Sequence, residues 1–72
     1  MNIIGDIAMD LKRAALGSEN TRLTFLLEAE KKKNDVPKDL PDYIGKILNN
    51  FGKDKEDLLM YSTLLQNYAT RH

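Results

Sequence analysis

The chain has 72 residues, with eleven Lys or Arg against eleven Asp or Glu, no cysteine, and a single histidine, His72. That length allows one domain with one modest core, and the charge balance produces no global field to draw polyanions in. Without cysteine there is neither a disulfide staple nor a thiolate nucleophile.

No apolar stretch approaches the roughly 18 residues of a membrane span. The opening "MNIIGDIAMD" has neither a basic n-region nor a long apolar one. The expectation is a soluble, unsecreted protein in the cytoplasm.

Apolar residues recur at helical spacing and no run alternates as a half-buried strand does, so the fold class is read as all-α, a small bundle of three to four helices. Ile3, Ile4, Ile7, Ala8, Leu11, Ala14 and Ala15 form one stripe, predicting a first helix over about 3–16. Gly17 is suited to end it in the left-handed conformation, and Ser18 or Asn20 to cap the next helix with a side-chain oxygen. The second helix is expected over about 20–33, with Leu23, Leu26 and Leu27 inward and Phe25 beside them. "NDVPKDLP" contains both prolines of the chain and reads as a loop.

From Pro41, a residue suited to a first helical turn, Tyr43, Ile44, Ile47, Leu48 and Phe51 predict a third helix over about 41–51. Gly52 then allows either a break with Asp54 capping a new helix, or one long helix at a cost of about 1 kcal/mol. The break is the preferred reading, which puts the fourth helix at about 55–70 and the whole of 1–72 in one helical domain.

"KKK" at 31–33 is the run most open to a functional reading. Successive helical residues turn by about 100°, so Lys31, Lys32 and Lys33 fan over about 200° and cannot all grip one phosphate track. Cations in a last helical turn are favoured by the macrodipole, and Glu28 stands four residues before Lys32. A solvated helix end is the preferred reading. An RNA-binding patch requires Lys12, Arg13 or Arg22 to join the lysines in space.

Other chemistry is sparse. Asp6 with Asp10, and Asp54 with Asp57, could imitate a carboxylate dyad, but acids near helix starts ordinarily serve capping and the dipole. Ser18 has no internal histidine or cysteine to act as its base. One terminal histidine matches no metal-ligand spacing. The aromatics Phe25, Tyr43, Phe51, Tyr61 and Tyr68 recur at core spacing, although such rings can also stack on bases. The expectation is no enzyme, no cofactor and no metal.

"IAMDLKRAALGSENTRLTFLLEAEKKKN" resembles the opening of YqeY-like proteins, relatives of the C-terminal tail domain of GatB, the B subunit of tRNA-dependent amidotransferases. The resemblance rests on Ile7, Asp10, Leu11, Lys12, Ala14, Arg22, Leu23 and Leu26. Asp42, Ile44, Ile47, Leu48, Lys53, Asp57 and Tyr61 continue it, so that it spans about residues 7–61. It implies an all-helical fold and, through GatB, contact with tRNA. Two departures stand out: Leu27 occupies a position where the family commonly has arginine, and the match stays within the family's first helical half.

The fourth helix points elsewhere. On a helical wheel Met60, Leu64, Tyr68, Tyr61, Leu65, Leu58 and Ala69 cover about half the circumference, wider than an ordinary surface-helix stripe. Leu59 falls outside that arc. Either the other helices enclose this one, or part of its apolar surface is left for a partner. The preferred expectation is a non-catalytic module, a small accessory or inhibitor protein, that binds a protein or itself through Leu59, Met60, Leu64 and Tyr68. The alternative is a tRNA-contacting accessory using Lys12, Arg13, Arg22 and Lys31 to Lys33.

Overall fold

The computed structural model describes residues 2–71. Helix α1 (Ile3–Leu16) starts where the Asn2 side chain accepts a hydrogen bond from the Ile4 N–H at 2.9 Å, satisfying one of the amides that the first turn leaves open. The same side chain donates through Nδ2 to the Ala69 carbonyl at 3.3 Å, so the cap also ties the start of α1 to the end of the last helix.

Gly17 ends α1, but in an extended conformation (φ −92°, ψ 178°) and not the left-handed one expected from the sequence. What requires glycine is space. A Cβ there would lie 2.7 Å from the Thr21 Cβ and 3.1 Å from the Arg13 carbonyl oxygen. The sharp corner lets α2 (Glu19–Lys32) fold back on α1, with Ser18 as its cap: the hydroxyl accepts from the Thr21 N–H at 3.4 Å.

A short 3-10 turn, Lys33–Asp35, follows α2, and a loop leads to α3 (Asp42–Asn49). Pro41 stands just before α3, its carbonyl accepting from the Gly45 N–H at 3.0 Å. The helix ends two residues earlier than its apolar spacing predicts, because Asn50 turns extended and its side chain accepts from the Gly52 N–H at 3.0 Å. Gly52 has φ +79°, a conformation glycine adopts cheaply. The chain therefore breaks there, and α4 (Lys55–Arg71) is a separate helix. Phe51 lies outside both helices yet is buried in the core.

Helix α1 is the common neighbour, packed along α4 on one side and α2 on the other. Its buried stripe of Ile4, Ile7, Leu11, Ala14 and Ala15 joins Ile44, Ile47 and Leu48 from α3 and Leu58 and Leu65 from α4 in one core. Small residues let the helices approach: a Cβ placed on Gly5 would be in ordinary contact with that of Ala69. Four α-helices and no strand occur among the described residues, and none of the helices is long and apolar enough to cross a membrane.

Helix α2 departs from its expected orientation. Leu23 and Leu27 are 57% and 63% exposed, and the fully buried residue of the helix is Ala29. Phe25 and Leu26 are half-buried against the core. Two polar links set this rotation. The Arg22 guanidinium donates to the Ala14 carbonyl at 3.3 Å, and the Lys32 ammonium meets the Asp10 carboxylate at 2.6 Å. With Arg22, Ala29 and Lys32 facing α1, Leu27 lies about 200° around the helix from Ala29 and faces away.

Candidate functional site

Of the six cations of the RNA reading, Arg13 lines one groove with Lys32 and another depression with Lys12, but most of the six are engaged within the fold. Arg22 is used as a cap on the carbonyls that α1 leaves open near its C-terminus. Lys32 neutralises Asp10, whose side chain is only 4% exposed, across the α1–α2 interface. Lys33 reaches Glu30 at 3.2 Å and lies over the Phe51 ring, 5.3 Å from its centroid. Lys31 pairs with Glu28 at 3.6 Å, so the partner expected for Lys32 serves Lys31 instead. Arg13 stacks over Phe25 at 5.6 Å. Lys12 is exposed and has no ion pair among the described residues.

Asp6 and Asp10 likewise differ in role. Asp10 is buried and held by Lys32, while Asp6 sits in the first turn of α1, at the rim of a groove that both residues line. Ser18 caps α2 and donates to the Thr21 hydroxyl at 3.1 Å. No cluster of three or more His, Cys, Asp or Glu side chains able to hold a metal ion occurs among the described residues. His72 lies outside them.

The apolar candidates on α4 divide into two groups. Met60 and Leu64 are 51% and 37% exposed, whereas Tyr68 is half-buried and packs against the core. Leu59 is half-buried too, and it lines a groove between α1 and α4 with Met9, Lys12, Ser62 and Gln66. Met60 and Leu64 do not line that groove. About 100° of helix rotation separates Leu59 from Met60, so one flat partner surface does not meet both groups equally.

The sequence reading passed over the outer face of α1. Met9 and Leu16 are 48% and 61% exposed there, and a depression of about 500 Å³ runs from Met9 past Arg13 and Leu16 to Thr21 and Phe25. Their seven-residue spacing was available as a signal, since residues seven apart stay within about 20° on a helix. Leu23 and Leu27 add an exposed apolar stretch on α2.

Fold and surface together define a small all-α bundle with several exposed apolar side chains. Compared with protein-family models, with curated proteins and with solved structures, the chain matches none.

Proposed function

We propose that the protein is a non-catalytic helical interaction module, a small accessory or inhibitor protein of the cytoplasm, that binds a protein partner through the exposed apolar surface of α4. The observation that carries this reading is the exposure of Met60 and Leu64 on a helix whose opposite side, with Leu58 and Leu65, is fully buried. A helix with its inward stripe satisfied gains nothing within the fold from a second apolar edge, whereas a partner surface does. Leu59 and Tyr68 are half-buried against the core on opposite flanks of the helix, about 180° apart.

The order of apolar and charged residues from Ile7 to Tyr61 supports placing the chain beside the first part of YqeY-like or GatB-tail domains. The tRNA contact that this relation implies is the weaker reading, because Arg22 and Lys32 are engaged in holding α2 to α1. Leu27 adds to this: the residue standing where the family commonly has arginine is an exposed leucine.

Affinity capture from a lysate, with and without RNase, tests the proposal when run beside a Met60→Lys/Leu64→Lys variant. A partner protein retained after RNase and lost with the variant, while the variant keeps the parent circular dichroism, is the expected result. Capture that depends on RNA, or that the variant leaves intact, refutes it.

A further inference from the structure

Three shallow depressions on one side of the molecule meet at a single residue. Met9 lines the groove between α1 and α2, the groove between α1 and α4, and the depression that runs toward Phe25. It is half exposed at the middle of the outer face of α1, with α2 and α4 as banks on either side.

On the α2 side of Met9 the charges unpaired among the described residues are ordered. Asp6 precedes it by three residues and Arg13 follows it by four, and both line the α2-side groove with it. Seven residues amount to two turns and about 10.5 Å of rise, so the two charges lie one above the other on the same flank. Neither forms an ion pair among the described residues, whereas the three lysines that end and follow α2 each meet a carboxylate. Arg13 is instead steadied over Phe25 at the edge of the face. An acid, an apolar centre and a base in this order are complementary to the same order read backwards.

We infer that this face pairs with a second copy of the chain, α1 antiparallel to α1, about a two-fold axis passing beside Met9. Such an axis, lying in the interface and perpendicular to α1, keeps each flank on its own side while reversing the helix direction. Asp6 of each copy then falls level with Arg13 of the other, within about one residue's rise of 1.5 Å. Met9 meets Met9, and a flexible thioether side chain adapts well to a self-contact. The one match of Asp6 with Arg13 is thus made twice.

The size of the face is adequate if α2 and α4 take part. A standard interface covers about 800 Å² per partner, roughly one sixth of the 4935 Å² exposed here. The long side of the molecule, with Cα extents of 33 and 21 Å, has a footprint of roughly that size. The pairing uses the α1 face and not the Met60–Leu64 edge, so it stands or falls apart from the function proposed above.

Sedimentation of the chain over a range of concentrations at low salt tests the inference. A reversible monomer–dimer equilibrium is expected. Asp6→Arg and Arg13→Asp should each weaken it by about tenfold or more, since each places like charges opposite one another twice. The combined variant should return to near the parent value, because it rebuilds both pairs with the charges exchanged. Met9→Lys, at an exposed position, gives a second reading that leaves the α1 termini untouched and should abolish the dimer. Circular dichroism establishes that each variant is folded. A chain that stays monomeric into the millimolar range, a combined variant that is not restored, or a dimer indifferent to Met9→Lys overturns the inference.

Discussion

Leu11 is fully buried where α1 meets the rest of the core, and Leu26 is half-buried at the side of α2. Leu11→Ala should therefore cost about 2–5 kcal/mol, with Leu26→Ala clearly less, in denaturant unfolding. Equal losses would mean that α2 is turned further inward in solution. The Asp10–Lys32 pair makes a sharper test, because its two members are buried to different extents: side-chain exposure is 4% for Asp10 and 32% for Lys32. Removing the lysine leaves a buried carboxylate without its counter-charge, whereas removing the carboxylate leaves an ammonium that can turn to water. Lys32→Met should accordingly destabilise the protein more than Asp10→Asn, by about 1 kcal/mol or more after allowance for the partial exposure of the lysine. The opposite ranking would show that Asp10 is not held in the interface.

At the level of elements, α2 is where apolar pattern and packing part company. Leu23, Leu26 and Leu27 look like an inward stripe, yet the stripe that packs is Arg22, Phe25, Leu26, Ala29 and Lys32. Alanine at the centre of the contact lets α2 approach α1 closely, and two charged side chains at its ends find partners that only α1 provides. The double substitution Leu23→Lys/Leu27→Lys should leave the melting temperature nearly unchanged, as exposed changes usually stay within about 0.5 kcal/mol each. A loss of several degrees would place those leucines in the core after all. The boundary between α3 and α4 is decided in the same way by a short-range bond: the Asn50 side chain holds the Gly52 N–H, and Gly52 supplies the positive φ.

For the whole molecule, a core this small supplies only about 3–5 kcal/mol of net stability, so the cooperativity of the fold depends on α1 being shared by its neighbours. The net charge of zero has its own consequence. Nonspecific RNA binding is driven by counterion release, with about 0.7 in the log–log salt slope for each single-strand phosphate contact. Of the six cations in the RNA reading, four have partners that hold the fold or the surface of α2, and a fifth lies over a ring. Filter binding or fluorescence anisotropy near physiological salt should detect no tRNA complex. Tight binding there, lost when Arg22 and Lys31 to Lys33 are neutralised together, would restore the tRNA reading.

Sequence by itself determined the helical class, the approximate positions of α1 and α2 and the α1 stripe, because these follow from local propensity, turn residues and a 3.6-residue period. It also contained the Gly52 break as one of two alternatives. Tertiary structure alone decided which way α2 faces, that Gly17 is needed for space and not for a left-handed turn, and that Asp10 is the partner of Lys32. It alone separated Leu59 from Met60 and Leu64, and brought Met9 to the centre of an open face. The facing of α2 depends on neighbours 8 and 22 residues away along the chain and the need at Gly17 on Thr21 of the next helix, and a wheel drawn for one helix contains no such neighbour.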